Sequence, residues 1–525
     1  MSNHQSDNKN VNLFIDDIPV TVAAGTTIIE AARKVNVKIP TLCDHPALGK
    51  RAVCRICVVE CDGRGKLLAS CSQDVWEGVH VVTNNRKLMS IRKTILDLIL
   101  AKHPQECLSC ARSGACELQN LAETYNKHYT ENKDRAENQD AEKQVPESSA
   151  GVLSRNMSKC VKCGRCVDVC QNVQAVRAIN TGHRSLHYEI CTPYQDALEK
   201  GPCVYCGLCV QVCPVGAIVE CDQAAEVQAA LNKSGQRVIT QITDSTGMVI
   251  DNEFKLPPGT ITKGKIVAAL KLMGFDKVFD AAVYADQYIR ERSVEFLDRI
   301  KSSGESPSGK LPMVLSCSPA LNNFVDTFYP ELRAYLTVEN SLEQSFGALA
   351  KTWYNKTFKI DLPEITYVSI MPCTAKKYEA HRDNGEANNV NLAISASELA
   401  RMIRMAGIDL INLPEAPLDS LVHNSAKSKF ASDTPEAEIY KAIVKVFEAY
   451  TTGQKSGETA AHYDSAAGRI IETVLNFQGK SIKILTVSGL GSAHKIMDSI
   501  LKGKCDADLV HIISCPLGCG SVAIP

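Results

Sequence analysis

A chain of 525 residues with 45% apolar content can bury several cores, about three to five units of ordinary domain size. Its formal charge of -1 gives no broad basic field for nucleic acid or an anionic membrane. No apolar run approaches the ~18 residues of a membrane span, and the polar opening MSNHQSDNKNVNLF has no basic-then-apolar leader, so the expected compartment is the cytoplasm. The 23 cysteines are poorly explained by disulfides, because reducing compartments keep thiols reduced and a core of this size needs no staples. Eighteen of them fall between Cys43 and Cys221, so metal binding is expected to concentrate there.

The first elements are a hairpin around Asp16 and Asp17 and a helix whose Thr27 and Glu30 have capping-box spacing. Cys43, Cys54, Cys57 and Cys71 follow, separated by ten, two and thirteen residues. Small and turn-forming residues between the first two let backbone wrap closely around an inorganic core. This spacing resembles plant-type 2Fe-2S ferredoxins, with a longer first gap; Cys61 is the spare and reads as a small packed residue. Leu88, Ile91, Ile95 and Ile99 recur at helical spacing and are expected in a core. In HPQECLSCARSGACELQ, His103, Cys107, Cys110 and Cys116 are spaced three, two and five apart. A lone His is usually a packing or surface residue, but one leading three cysteines supplies the missing fourth ligand. Residues 121–156 are charged and nearly without large apolar groups, as a solvated linker would be.

CVKCGRCVDVC and CVYCGLCVQVCP form an internal repeat. In two-cluster bacterial ferredoxins the fourth Cys of each run binds the other cluster. That arrangement puts Cys160, Cys163, Cys166 and Cys213 on one 4Fe-4S centre, and Cys203, Cys206, Cys209 and Cys170 on the second. Zinc is the competing reading for CxxC pairs, yet two four-Cys runs and a closing Cys-Pro are more specific for iron-sulfur. Beyond Cys221 the pattern turns to alternating strands and helices, with the buried-sheet runs MVLSCS, ITYVSIMPC, IKILTVSGL and LVHIISC. GLGSAHKIMDSIL reads as a tight strand-to-helix turn rather than a phosphate loop. Three strand ends carry Cys317, Cys373, and Cys515 with Cys519. Ligands of α/β domains collect beyond the carboxyl ends of strands, so these loops can cage a cluster.

LSCSPAL, MPCTAKKYE and SCPLGCGSVAIP resemble the TSCCPxW, MPCxxKxxE and C-terminal CxxxC signatures of the FeFe hydrogenases, and the likeness covers nearly the whole chain. It implies an α+β multidomain fold: a β-grasp 2Fe-2S ferredoxin-like domain over 10–88, a 4Fe-4S domain with one His and three Cys ligands over 89–130 and a charged linker over 131–156. A bacterial-type two-cluster ferredoxin module over 157–222 and an α/β hydrogenase-like domain over 230–525 follow. The implied cofactors are one 2Fe-2S cluster, three accessory 4Fe-4S clusters and, at the rear, an H-cluster or a lone 4Fe-4S. By the same resemblance Cys373 and Cys515 bind the rear cubane, Cys519 bridges to a diiron unit, Lys376 hydrogen-bonds a cyanide, and Cys317 relays protons. The front modules also resemble those of the large iron-sulfur subunit of complex I and of NAD-linked formate dehydrogenases.

The chain departs from the family pattern at several places. Ser318 stands where a cubane ligand belongs, and a hydroxyl is harder to ionise than a thiol and a harder donor. Glu295 and Arg299 fall on the family's proton channel, Arg292 replaces an acidic member of it, and Thr337 matches a hydroxyl relay. Ser245 is what remains of an Ala-Pro-Ser segment, and Ile513 replaces a Met. Two functions stay open. One is reversible H2 oxidation, with electrons passing to ferredoxin or a flavin-containing NAD(P)H-linked subunit. The other is an electron-transfer or sensory subunit without a diiron centre.

Overall fold

The computed structural model describes residues 10–62, 67–126, 147–149, 151–302, 310–316, 318–337, 341–371, 373–381, 389–421, 462–465, 468–477 and 480–516. Cys317, Cys519 and the glycine-containing tail through Pro525 lie outside them.

β1 (Asn10–Ile15) and β2 (Ile18–Ala23) pair antiparallel around Asp16 and Asp17, both at positive φ. α1 (Ile28–Lys34) starts at the expected box: the Thr27 side chain accepts from the Glu30 N–H while the Glu30 carboxylate takes the Thr27 N–H. β3 (Val58–Cys61), β4 (Leu67–Ala69) and β5 (His80–Val82) complete a sheet of order β2-β1-β5-β3-β4. Only β1 and β5 run parallel, as in a β-grasp. Cys61 is buried in this core.

α2 (Arg86–Leu100) turns a wider face to the core than expected, with Ile95 and Ile99 packed against its edge. Leu88, Arg92, Leu96 and Leu100 are buried, whereas Ile91, Ile95 and Ile99 are half-buried. A four-residue repeat runs through Arg92 because its guanidinium donates to the Val58 and Thr83 carbonyls, at 2.7 and 2.8 Å, which offsets the cost of burying it. α3 (Glu117–Thr124) follows Cys116. The linker also ends earlier than expected. β6 (Glu147–Ser149) and β7 (Leu153–Arg155) pair with each other, and β7 pairs with β10 (Ile218–Glu220). Val152 and Leu153, the apolar pair in that polar stretch, are fully buried and tie it to the ferredoxin-like module.

Within the repeat, α4 (Arg165–Asp168) and α5 (Leu208–Gln211) each begin after a glycine at positive φ, Gly164 and Gly207. β8 (Asn180–Gly182) and β9 (Glu189–Cys191) form a hairpin between them. α6 (Ala224–Asn232) then leads into the rear domain.

The rear domain holds two sheets. β11 (Arg237–Ile242), β12 (Lys277–Asp280), β14 (Ile365–Met371) and β15 (Leu392–Ser395) form a parallel sheet of order β12-β11-β14-β15. In chain order five helices, α7 (Asp244–Glu253), α8 (Lys263–Leu272), α9 (Ala281–Lys301), α10 (Pro319–Phe328) and α11 (Leu342–Phe358), lie between β11 and β14. α12 (Thr374–His381) follows β14 and α13 (Ala396–Met405) follows β15. β13 (Met313–Ser316), β18 (Lys480–Ser488) and β19 (Leu509–Ile513) are parallel in the second sheet, and β17 (Gly468–Phe477) and β16 (His462–Ser465) extend it antiparallel. Gly489, at φ 80, turns β18 into α14 (Leu490–Leu501), as the turn reading expects.

One continuous apolar cluster links Leu42 and Ile56 of the first module, Leu96 and Leu118, the ferredoxin-like core, and Leu321, Val487 and Ile512 of the rear domain. Burying one shared core fixes the order of the modules in space as well as in sequence.

Candidate iron-sulfur relay and rear site

In the first module, the loop between α1 and β3 carries Cys43, Cys54 and Cys57 and meets Cys71, which follows β4. The Cys57 and Cys71 sulfurs are 3.4 Å apart, and the Cys54 N–H points at the Cys43 sulfur from 3.5 Å. Hydrogen bonds from Cys54 and Cys71 hold the Cys43 thiol far below its usual range. Cys71 holds Cys57 down to about 7. Next in the chain, Cys116 is buried at the start of α3, and burial, then Cys110 and Cys107, pushes its thiol up, so these three sulfurs share one neighbourhood. His103 is buried at the end of α2.

The repeat encloses two cavities. Cys160, Cys163 and Cys166 line one together with Cys213, and the other walls include Val161, Ile190 and Ile218. Cys203, Cys206 and Cys209 line the second together with Cys170, among Val169, Val176 and Leu208. The structure therefore brings the sulfurs together across the two runs, in the groupings drawn from the repeat. Burial pushes Cys160 up to about 11, Cys163 to about 12 and Cys170 to about 11. Thiols so desolvated become thiolates only beside a strong positive charge. Four sulfurs around an apolar hollow fit an iron-sulfur cluster, which such thiolates hold. They line hollows rather than converge on a point: among the described residues, no three His, Cys, Asp or Glu side chains are arranged for a single metal ion.

The two repeat glycines face opposite ways. A Cβ on Gly164 would run into the Arg51 guanidinium of the first module, and one on Gly207 would run into the side chain of Thr374, which follows Cys373. Tyr205, between Cys203 and Cys206, stacks on Tyr378 of α12 with ring centroids 4.3 Å apart. Gln174, buried and lining the second cavity, donates to the Ser514 carbonyl at 2.9 Å and accepts from the Leu490 N–H at 2.9 Å. Its side chain also hydrogen-bonds Cys206. The second cavity thus abuts the residues beside both Cys373 and Cys515.

At the rear, Cys373 follows β14 and Cys515 follows β19, each beyond a carboxyl strand end. Ser318 follows β13 and caps α10: its hydroxyl accepts from the Ala320 N–H at 3.3 Å, with Pro319 in the first helical position. Lys376, buried in α12, lies 3.1 Å from Glu379 and 3.5 Å from Glu343. Burial opposes its charge, yet Glu379, Glu343 and Cys373 hold its proton on more firmly than usual. Glu343 is pushed up to about 8 by burial, against the pull of Lys376, and the Ser369 hydroxyl donates to it.

Residues 236–521 match the C-terminal domain of the iron only hydrogenase large subunit. The chain is 33% identical over 522 residues to the NADP-reducing hydrogenase subunit HndD of Solidesulfovibrio fructosivorans, covering 97% of this chain and 87% of that one. This chain belongs to the FeFe hydrogenase family. The front modules match a 2Fe-2S binding domain over residues 8–86, the NADH-ubiquinone oxidoreductase G iron-sulfur region over 92–130 and a 4Fe-4S dicluster domain over 138–217. Iron hydrogenase 1 of Clostridium pasteurianum is 28% identical, with 97% of this chain and 87% of that relative covered. The NADH-ubiquinone oxidoreductase 75 kDa subunit of Reclinomonas americana is 32% identical over 35% of this chain and 26% of its own length.

Within this FeFe hydrogenase-family chain, the residues expected on a proton route are engaged with each other. Arg292 donates to one Glu295 oxygen at 2.6 Å and Arg299 to the other at 2.5 Å. Arg299 is fully buried and also donates to the Lys310, Tyr335 and Leu336 carbonyls. The Thr337 N–H donates to the Val314 carbonyl at 3.1 Å. Ser245 lies in the first turn of α7, 2.8 Å from the Thr243 hydroxyl. Three residues escaped the reading of the sequence. Gln174 gave no signal beyond lying four residues past Cys170, Glu343 was hidden in an ordinary amphipathic helix, and Arg165 stood inside a cysteine run. Among the described residues no helix is long and apolar enough to cross a membrane.

Proposed function

We propose that this chain is the iron-sulfur electron-transfer subunit of an NAD(P)-linked redox complex, and that its rear site does not turn over H2. The accessory set is one 2Fe-2S centre at Cys43, Cys54, Cys57 and Cys71, and 4Fe-4S centres at His103/Cys107/Cys110/Cys116 and at the two four-Cys cavities. At the rear, Cys373 and Cys515 would supply two of the four sulfurs that a lone 4Fe-4S needs. When bound, these clusters supply one-electron transfer. The chain's own residues exclude water from the sulfurs and hold consecutive sites in one core. The partners that fit are a flavin-containing NAD(P)H-linked subunit and ferredoxin, in keeping with the NADP-reducing and NADH-ubiquinone subunits named among the relatives.

The single observation that carries the rear-site reading is Glu295. A proton carrier exchanges its hydrogen-bond partners as it accepts and releases, and each Glu295 oxygen is held in a buried ion pair with a guanidinium group. Lys376 and Ser318 point the same way. Glu379 already accepts from the ammonium with Glu343 3.5 Å away, and the hydroxyl caps a helix.

A second reading, reversible H2 oxidation, is favoured by MPCTAKKYE, because Lys376 remains buried beside Cys373. Infrared spectroscopy after maturation with the diiron precursor separates the two. Full iron and sulfide loading with no CO or cyanide bands and no H2 uptake supports the carrier; bands that change under H2 overturn it. Partner choice is read by anaerobic reduction with NADH, NADPH or reduced ferredoxin, with and without a flavin subunit.

A further inference from the structure

Arg165 stands between Cys163 and Cys166 at the start of α4, and its side chain is 4% exposed. Its guanidinium grips both oxygens of Glu117, the residue after Cys116, at 2.6 and 2.9 Å. It also donates to the carbonyl of Asp44, the residue after Cys43, at 2.8 Å, and reaches that of Val212, the residue before Cys213, at 3.5 Å. Burial works against its charge, while Glu117 first, and then Cys163 and Cys43, sustain it. A guanidinium does not lose its proton in a protein, so the charge is permanent. The matching position in the second run is Leu208, so only the front end of the repeat carries it.

We propose that Arg165, offset by Glu117, is the positioning charge that sets the reduction potentials of the three cysteine sites meeting around it. Those sites are the Cys43 set, the His103 and Cys116 set, and the cavity of Cys160, Cys163, Cys166 and Cys213. The proposal rests on the cluster reading of these cysteines. Each reduction adds one electron, hence one negative charge, and a nearby buried cation favours the reduced form. Glu117 opposes this in part, because its side chain is 42% exposed and water screens it on one side. The junction raises the three sites together and acts least on the second cavity, where Leu208 takes the matching position.

The test is an electron paramagnetic resonance redox titration of the full chain, loaded anaerobically and reduced with dithionite, with iron and sulfide measured on every sample. Arg165→Gln is expected to lower the midpoints of the three sites, changing the reduced-to-oxidised ratio at fixed potential by about tenfold, or ~59 mV for one electron. Glu117→Gln is expected to shift them the opposite way. The signal lost in Cys203→Ala serves as the internal control and moves least. Unmoved midpoints at full iron loading, or shifts of the same sign in both variants, overturn the assignment. If Arg165→Gln loads poorly, the sign of the shift in Glu117→Gln decides. A loaded wild type with unmoved variants sinks only the role of Arg165; a wild type without iron and sulfide sinks the cluster reading and this proposal with it.

Discussion

Ser318→Ala separates two roles that one hydroxyl can have at the rear site. As a cap, Ser318 accepts from the Ala320 N–H at the first turn of α10, satisfying one of the donors that a helix start leaves open. Replacing such a cap by Ala costs about 1 kcal/mol. For a domain of the rear domain's size, that lowers the melting temperature by roughly 2–4 °C. Most of α10 stays in place, because Leu321, Phe324 and Val325 are buried in the shared core. As a cluster ligand, by contrast, the loss of Ser318 would empty or loosen a whole 4Fe-4S centre, and iron would fall by about four atoms per chain. Differential scanning calorimetry and iron determination on anaerobic samples give both numbers. The expected result is the small thermal shift with iron unchanged, and Ser318→Asp, another good cap, is expected to restore the melting temperature. A loss of about four irons in Ser318→Ala would refute the capping account.

The cavities predict a grouping of variants. Cys213→Ala and Cys160→Ala are expected to remove the same paramagnetic signal, and Cys170→Ala the one lost in Cys203→Ala; pairing by run, with Cys213 matching Cys203, would contradict the cavity linings. Arg299→Met strands Glu295 with one of its two buried partners gone, and such losses cost about 3–5 kcal/mol. Chemical denaturation should show that loss, and the double variant with Glu295→Met should recover part of it. Glu343 gives a pH dependence. Its folded value near 8 lies above the ordinary carboxyl value of 4.5, so the folded state binds more protons between them. The Glu343 contribution is therefore full below about 4.5 and is lost as pH rises through about 8. Glu343→Gln should flatten stability against pH in that window, measured by urea midpoints at pH 5.5 and 8.5.

The front half of the molecule was legible because cysteine spacing is a covalent constraint. Two turns of backbone around a cluster admit few spacings, so the four-Cys runs announced both their fold and their exchange of Cys170 and Cys213. The Thr27 capping box and the Asp16-Asp17 hairpin were legible for the same reason, each being decided within a few residues. The α2 face was read too narrow, since periodicity treats Arg92 as solvent-facing and cannot know that two carbonyls wait for its guanidinium. The strands at 147–155 were missed because two apolar residues in a charged stretch carry little pattern, although burial of Val152 and Leu153 is enough to hold them.

The rear site was less legible because its character is decided by charges that meet across the fold. Nothing in SLEQSFGALAKTWY shows that Glu343 will face Lys376, and nothing in the helix around Glu295 shows that Arg292 and Arg299 will close on its two oxygens from adjacent turns. Motif comparison registers Arg292 as the loss of one acidic group. The geometry shows a second effect, since the added cation also pairs with the neighbouring Glu295 carboxylate. On the proposed reading, a single reversal of charge at an i,i+3 position thus takes two members out of a proton relay at once. Arg292→Glu tests that reasoning. It removes one of the two Glu295 ion pairs and sets a like charge beside that carboxylate, so chemical denaturation should show a loss of stability that the added Glu295→Gln recovers in part. A variant as stable as the parent would mean that the Arg292 ion pair does not hold Glu295 and that Arg299 alone fixes it.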